Sequence, residues 1–383
     1  MTLGIIRLLR ITAARLVSSG PFAAGDRSVV LPRTPLPPRR GARAAVGCFI
    51  VVFLGLHQLA GIAVSDARVR DPEYGRRVYA LRKRIAENPG RPLFLVAGSS
   101  RVAMGVCPSE WEATRPGHPA TPDPLLFNMA ILGSGPIMEL MVLRRVYAEG
   151  FRPAVVLLEY WPPFLHQDDE HHEVVRIARD RLMDVDRQLI REYFSDPVQL
   201  EAEMDWRQRH PLFGYREPML GLVAPRWLLD RKRTDWSWEN LDEWGWKPGA
   251  DLKPDMAEVR AAAHKRIEEQ YRPLFAAHRI SPISDRAYRA SVELARQHGA
   301  AVGLVFYPES SEFRGIYPEE VEKAAAAHLE RMSRELDLPV INARHWLDDK
   351  LVVDGFHLSR LGAAEFTRKF GPALRAAFPQ VKP

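Results

Sequence analysis

The chain has 383 residues, 46% of them hydrophobic, which is enough for one folded domain with additions. The formal net charge of +6 is unevenly spread, because residues 1–44 contain eight arginines and one acid, Asp26, and so leave about −1 for the remainder. A basic nucleic-acid-binding domain is therefore excluded, and Cys48 and Cys107 are too few for a disulfide framework or a cysteine metal site.

Residues 1–43 are predicted to be a basic, proline- and arginine-rich cytoplasmic tail. Four prolines within residues 32–38 disfavour regular structure, whereas residues 5–17 place arginines among aliphatic side chains and suit a short helix on an anionic membrane surface. A transit peptide or an incorrectly assigned start gives the same pattern, so these interpretations stay open.

Residues 44–64 are predicted to form a transmembrane helix, because they carry no formal charge and are long enough to cross a hydrocarbon core of roughly 30 Å. The run follows Arg39, Arg40 and Arg43, whereas the segment after it contains both acids and arginines. The positive-inside rule then places the N-terminus in the cytoplasm and everything after Val64 outside. The alternative is a buried helix of a soluble protein.

A polar, helical stalk is predicted over residues 65–90, and the first part of a folded domain over residues 91–163. Buried strands are predicted at residues 93–97, 124–130 and 153–158, with a helix at 137–149. The first strand runs into Gly98-Ser99-Ser100, which allows a sharp turn at the sheet edge where open parallel sheets bind ligands. On its own this turn also fits an ordinary strand-to-helix connection with a serine N-cap.

Residues 164–280 are predicted to be a mostly helical, tryptophan-rich insertion that acts as a lid. Its aromatic side chains suit a carbohydrate surface, although core packing and helix docking are the better explanation for most of them. The second part of the domain, residues 281–383, resumes the alternation with helices at 284–298 and 318–336 and strands at 301–306 and 338–342. Five short strands separated by helices predict a doubly wound parallel sheet.

The last informative pattern is Asp354-Gly-Phe-His357, placed before a helix that Ser359 can cap. Their spacing lets Asp354 and His357 converge on one point. A histidine oriented by a carboxylate is what a serine needs for activation, so these two residues and the hydroxyl-bearing turn after the first strand predict a Ser-His-Asp triad.

These motifs resemble the SGNH (GDSL-like) hydrolase superfamily. Its first block, a Gly-Asp-Ser turn after strand one, stands here as Gly98-Ser99-Ser100, and its last block, Asp-x-x-His, as Asp354 and His357. Its second block has an asparagine and, five residues later, a glycine, a spacing matched by Asn128 and Gly133. The resemblance covers about residues 93–377 and implies a three-layer α/β/α, flavodoxin-like fold with a five-stranded parallel sheet, to which the insertion and the transmembrane helix are additions.

The third block departs from the family pattern. The usual Gly-x-Asn-Asp is replaced by Glu159-Tyr-Trp-Pro, so the side-chain amide of the oxyanion hole is missing. With the Gly-Ser-Ser opening, this looks like the membrane-anchored branches of the superfamily, similar to D-alanyl-lipoteichoic acid transfer proteins and alginate-type O-acetylation proteins. The resemblance implies an acylated envelope carbohydrate or polymer as substrate and a membrane-bound O-acyltransferase as partner.

The roles implied by the resemblance are specific. Ser100 is expected to be the nucleophile, with Ser99 as the less favoured alternative, His357 the base and Asp354 the group that orients it. The amides of Ser100 and Gly133 are expected to hold the oxyanion, with Asn128 either bonding it or bracing the loop. Arg101 or residues 309–314 are candidates to replace the missing donor.

No cofactor, metal or nucleic-acid site is predicted. The run at residues 166–173 is rich in histidine and acids but lacks the helical His-Glu-x-x-His arrangement of a zinc site. Two functions remain: an anchored esterase or O-acyltransferase, and a catalytically weakened scaffold subunit of an acylation or export complex.

Overall fold

The computed structural model describes residues 39–114, 123–166, 172–249, 256–379 and 381. Nearly all of the predicted basic tail lies outside these residues. The strands are β1 (Leu93–Ala97), β2 (Leu125–Asn128), β3 (Val155–Glu159), β4 (Ala301–Phe306) and β5 (Val340–Asn342). They form one sheet with the order β2-β1-β3-β4-β5, and all four pairings are parallel.

The helices before and around the first half of the sheet are α1 (Arg39–Val64), α2 (Ala67–Arg70), α3 (Pro72–Glu87), α4 (Ser100–Gly105), α5 (Pro108–Ala113) and α6 (Pro136–Ala148). Those of the insertion are α7 (His172–Arg176), α8 (Arg187–Tyr193), α9 (Pro197–Arg209), α10 (Pro211–Gly214), α11 (Arg216–Val223), α12 (Asp235–Trp238) and α13 (Ala257–Ala276). The second half of the sheet carries α14 (Pro282–Gln297), α15 (Ser311–Arg314), α16 (Glu319–Leu336) and α17 (Arg360–Ala377). Short 3-10 turns lie at Pro162–Leu165, Arg179–Arg181, Asp184–Asp186, Pro225–Trp227, Asp230–Lys232 and Asp349–Leu351.

The sheet is buried on both faces. One apolar core contains Leu140 of α6, Val292 of α14 and Met332 of α16, and the other contains Val102 of α4 and Phe366 of α17. Strands covered on both sides must be apolar throughout, which is why each read as a continuous hydrophobic run. The predicted three-layer α/β/α class with a five-stranded parallel sheet is confirmed. Its strand order reverses next to β1, so a ligand site is expected beyond the carboxyl end of that strand.

The two ends of the insertion lie next to each other in the fold. His166 and Ile280 form an isolated antiparallel bridge, and the Ser281 amide donates to the Leu165 carbonyl at 2.7 Å. The described part of the insertion is helical. Its tryptophans divide between core and surface, as the following exposures show: Trp238 and Trp244 are buried, whereas Trp206, Trp227 and Trp236 are 48%, 66% and 60% exposed.

The segment predicted as a stalk is instead packed into the domain. Tyr74, Val78 and Leu81 of α3 belong to the larger core. The sequence looked polar because its charges find partners inside the protein: Arg77 is fully buried beside Glu73, 3.5 Å away, and other buried pairs accompany them. Charged residues that pair in this way cannot be distinguished from solvated ones by composition.

Helix α1 extends past the predicted span at its N-terminal end. Within it, Gly41–Val64 is a stretch of 24 residues that is long and apolar enough to cross a membrane. Most of its large side chains are exposed, among them Phe49 at 68% and Val51 at 70%. Among the residues that the structure describes, this apolar helix has no partner along most of its length.

Candidate active site

The turn after β1 is built around a glycine. A side chain at Gly98 would lie 2.4 Å from Cγ2 of Val102 and 2.8 Å from Cβ of Glu159, so only glycine permits this close approach. Ser99 is fully buried, and its hydroxyl accepts the Arg101 amide at 3.2 Å as the N-cap of α4. Its side chain is therefore committed to the helix, and the next residue, Ser100, is the one whose side chain is part-exposed.

Three side chains from opposite ends of the chain meet at this turn. Ser100 Oγ lies 2.7 Å from Nε2 of His357, and Nδ1 of His357 lies 2.7 Å from Oδ2 of Asp354. The other carboxylate oxygen of Asp354 accepts the amide of His357 at 3.0 Å. A serine, an imidazole and a carboxylate connected in this order are the arrangement that a hydrolytic triad requires.

The electrostatics of Asp354 favour the charged form. Burial pushes the pKa of this carboxyl upward, but the charge of His357 and hydrogen bonds from its side chain and backbone outweigh it. The pKa of Asp354 therefore lies below its usual range. An ionised Asp354 fixes the imidazole with its proton on Nδ1, which leaves Nε2 free to accept the Ser100 proton.

Asn128 braces the loop. Its side-chain nitrogen donates to the carbonyls of Val102 and Val106, both at 2.8 Å, and its oxygen accepts the Ala130 amide at 3.1 Å. The residue is completely buried. Of the two roles considered for Asn128, the contacts correspond to bracing, because the amide protons are already used.

Two backbone amides of the loops that follow β1 and β2 lack an acceptor in the described part of the chain. Within the described residues, the N–H groups of Ser100 and Gly133 donate to no acceptor, whereas the neighbouring Leu132 amide is held by Oε1 of Glu73 at 2.9 Å. Gly133 has a φ of +79°, a conformation that favours glycine. The Gly133 amide follows Ile131 by two residues, and the Ile131 amide donates to the Gly98 carbonyl at 2.9 Å, so the two loops that carry the free N–H groups are linked. Free amides of this kind are what an oxyanion needs.

Glu159 ends β3, at the start of the loop that departs from the expected third block, where Trp161 stands in place of the asparagine. Oε2 of Glu159 accepts the Ser99 amide at 2.6 Å, and its Oε1 lies 3.4 Å from the guanidinium of Arg101. Burial raises the pKa of Glu159, against the opposing effects of Arg101 and Ser99. Glu159 thus stabilises the turn after β1, a role that was not predicted from the sequence.

The prediction for Arg101 at the oxyanion needs correction. Its guanidinium is completely buried, donates to the Tyr307 carbonyl at 2.8 Å and lies 4.7 Å from the ring centre of Trp161. Residues 309–314 are likewise engaged elsewhere: Glu309 accepts the indole N–H of Trp161 and pairs with Arg344. A buried arginine must keep its acceptors, so it is not free to face a substrate.

A strap from the insertion packs against α4 and the end of β2, and it was not predicted from the sequence. This strap, residues 242–249, pairs the Trp244 carbonyl with the Asn128 amide at 3.1 Å and the Lys247 amide with the Ala103 carbonyl at 2.9 Å. The indole of Trp246 donates to the Met104 carbonyl at 2.8 Å. The signal was Gly245 between two tryptophans, since a side chain there would lie 2.0 Å from the Asn128 carbonyl oxygen.

Within the described ranges, no group of three or more histidine, cysteine or acidic residues is arranged to hold a metal ion. Most of the histidine- and acid-rich run at residues 166–173 lies outside those ranges. Glu173, at its end, accepts the amides of Gly135, Ile137 and Met138 and so caps α6.

Comparison with known proteins adds little beyond the architecture. No family model and no curated protein matches the chain. Among solved structures, the lipase/acylhydrolase from Enterococcus faecalis aligns over 76% of this chain and 97% of its own, with 11% sequence identity and a TM-score of 0.33. At this similarity, the chemistry has to be deduced from the side chains of this chain.

Proposed function

We propose that the protein is a membrane-anchored serine esterase or O-acyltransferase that acts on acyl esters of cell-envelope carbohydrate. The observation that carries the proposal is the chain of two 2.7 Å contacts from Ser100 through His357 to Asp354. The unpartnered amides of Ser100 and Gly133 supply the matching site for a developing oxyanion.

The reaction begins when Ser100 Oγ attacks the ester carbonyl and its proton moves to Nε2 of His357. The carbonyl oxygen becomes an oxyanion that the two free amides receive. Collapse of the tetrahedral intermediate expels the alcohol, which takes the proton from His357, and leaves the acyl group on Ser100. Water or a sugar hydroxyl then repeats the sequence and releases either the acid or a new ester, while Asp354 stabilises the imidazolium in both halves.

Helix α1 provides the anchor in this proposal, with the catalytic domain on the extracytoplasmic side. Support comes from the 24-residue apolar span and from the arginines that precede it. An outward-facing domain reaches envelope polymers, and a membrane-bound O-acyltransferase is the partner proposed as the source of acyl groups. Alkaline carbonate extraction tests the anchor, since release of the chain into the supernatant would contradict it.

The catalytic proposal is tested on the full chain in detergent. Wild type, Ser100→Ala and Ser99→Ala are treated with a fluorophosphonate and assayed with p-nitrophenyl acetate. We expect labelling and hydrolysis in wild type and in Ser99→Ala, which loses only the N-cap of α4, and neither in Ser100→Ala. Labelling that persists in Ser100→Ala would refute the assignment of the nucleophile.

One observation favours a second function. In the third block, Trp161 stands where the resembled superfamily has its asparagine, and its indole N–H donates to Oε1 of Glu309, so one donor of the oxyanion hole has no counterpart there. Loss of such a donor typically costs about a hundredfold in rate or more. A chain that neither labels nor hydrolyses would therefore be assigned to the alternative, a scaffold or binding subunit of an acylation complex.

A further inference from the structure

The insertion contacts the anchor helix through a continuous series of rings. Phe53 of α1 lies 6.2 Å from Phe213, and His57 lies 6.3 Å from His210, which in turn lies 5.3 Å from Trp206. The ring nitrogen Nε2 of His57 also donates to the Arg209 carbonyl at 3.0 Å. The corner where α9 meets α10, residues 206–213, therefore lies alongside α1 and not beyond its end.

The depth of this contact follows from helix geometry. Phe53 precedes the last residue of α1, Val64, by eleven positions, which is about 16 Å at 1.5 Å per residue. If the membrane ended at Phe53, residues 44–53 would span only about 14 Å of a hydrocarbon core of roughly 30 Å. The bilayer must therefore extend past Phe53, up to the level of the α9–α10 corner.

The side chains of α1 beyond Phe53 support the same conclusion. Leu54, Leu56, Leu59 and Ile62 are 53%, 48%, 47% and 63% exposed, although they are strongly apolar. The corner covers only one side of the helix here, so the other sides require lipid. Water at this level would leave a ring of aliphatic side chains solvated.

The insertion presents a matching surface. Phe213 and Trp206 remain 50% and 48% exposed even though their rings take part in the series, and Trp227 and Leu229 are 66% and 60% exposed. Residues 206–233 hold seven arginines and lysines against two acids. Aromatic rings mixed with basic side chains are typical of segments that lie in a membrane interface and contact anionic headgroups.

We infer that the α9–α10 corner is embedded in the interface of the bilayer leaflet from which the catalytic domain emerges, with Trp206, His210 and Phe213 at the level of the lipid. The inference rests on the membrane anchor of the proposed function and adds a second attachment to it. Two attachments fix the orientation of the domain, so that Ser100 acts on esters reached at the membrane surface. The occupant of this surface is lipid.

The experiment uses the full chain with Cys48→Ala, reconstituted in vesicles of phosphatidylethanolamine and phosphatidylglycerol. Cys107 is buried and stays in place. Trp206→Cys carries a nitroxide label, and Val198→Cys is the matched control, since it lies on the same helix about 12 Å nearer its N-terminus and is 82% exposed. Collision rates with oxygen, which partitions into lipid, and with a water-soluble nickel chelate are compared by electron paramagnetic resonance.

We expect the ratio of oxygen to nickel collisions to be several-fold higher at position 206 than at position 198. Equal, water-like ratios at both positions would overturn the inference. A second measurement avoids the labels: brominated lipids should quench the tryptophan fluorescence of the wild-type chain more than that of Trp206→Phe. Equal quenching would contradict a lipid contact at Trp206 and overturn the inference.

The outcomes separate this inference from the proposals that precede it. A chain released from the vesicles by carbonate overturns the anchor and the embedded corner together. The chain can instead be retained and label with fluorophosphonate while position 206 gives a water-like collision ratio. That result overturns only the embedded corner. A retained chain with a high ratio of oxygen to nickel collisions at position 206 supports the embedding of the corner, whether or not Ser100 reacts.

Discussion

The carboxylate of Glu159 lies against the Gly98-Ser99-Ser100 turn after β1 and accepts the Ser99 amide at 2.6 Å. Both residues are completely buried. The same carboxylate faces the buried guanidinium of Arg101. One side chain from the end of β3 therefore accepts a hydrogen bond from the backbone of the turn and neutralises the positive charge of Arg101. The loop that follows β3 is thus tied structurally to the turn that follows β1.

Replacing Glu159 with glutamine should destabilise the protein. The amide oxygen of glutamine can still accept from Ser99, but the negative charge opposite Arg101 is lost, and removing one partner of a buried ion pair costs on the order of 3 kcal/mol. Chemical unfolding of the full chain in detergent measures the change. The matched control is Glu319→Gln, which removes an exposed ion pair with Lys323 and should change the midpoint little. Equal midpoints for the two variants would contradict a stabilising role.

Asn128→Ala distinguishes bracing from direct binding of the oxyanion. A bracing asparagine that is removed leaves the buried Val106 carbonyl without a donor and takes one of two donors from the Val102 carbonyl, which should cost about 1–3 kcal/mol of unfolding free energy. An oxyanion donor would instead cost about a hundredfold in kcat with stability retained. We expect the first pattern, measured by unfolding and by p-nitrophenyl acetate kinetics on the same preparation.

Local signals predicted much of the fold. The β1 run after Pro92 and the β4 run are continuous apolar stretches, and the structure places β1 and β4 at the predicted residues. Asp354 and His357 could be singled out because a three-residue spacing before a capped helix brings two side chains together without long-range information. For such residues, neighbours in sequence decide the geometry.

The features that the sequence analysis missed all depend on distant partners. Glu159 gains its role from Ser99 and Arg101, and the strap at residues 242–249 gains its role from Asn128 and Ala103. Arg101 looked available because exposure is not encoded by residue type. A buried charge becomes predictable only when its counter-charge is known.

Asp354→Asn should impair catalysis while leaving the protein folded. Asparagine keeps the shape of the side chain but cannot stabilise the imidazolium and favours the wrong tautomer, which in serine hydrolases lowers kcat by roughly 10³–10⁴-fold. The control is Asp349→Asn in the same loop, since Asp349 accepts the Ser311 amide at 2.8 Å and takes no part in the triad. Hydrolysis of p-nitrophenyl acetate checks both variants. A similar rate loss in each would indicate that the loop as a whole, and not Asp354, is responsible.

The last prediction concerns the cap of α6. Burial raises the pKa of Glu173 to about 7, against the opposing hydrogen bonds from the Met138, Ile137 and Gly135 amides. An unfolded glutamate titrates near 4.3, so between these values the folded chain binds a proton that the unfolded chain lacks. The contribution of Glu173 to stability is therefore fully present below about pH 4 and is lost as the pH rises through about 7.

Glu173→Gln removes this titration while keeping an acceptor for the amides. The unfolding free energy of the variant relative to wild type should rise by about 1 kcal/mol per pH unit between pH 5 and pH 7, and should level off above that range. Unfolding curves of both chains at half-unit pH intervals measure the difference. A difference that is flat, or that falls with pH, would mean that the three amides hold Glu173 ionised in the folded protein and that hydrogen bonding, not burial, dominates at this cap.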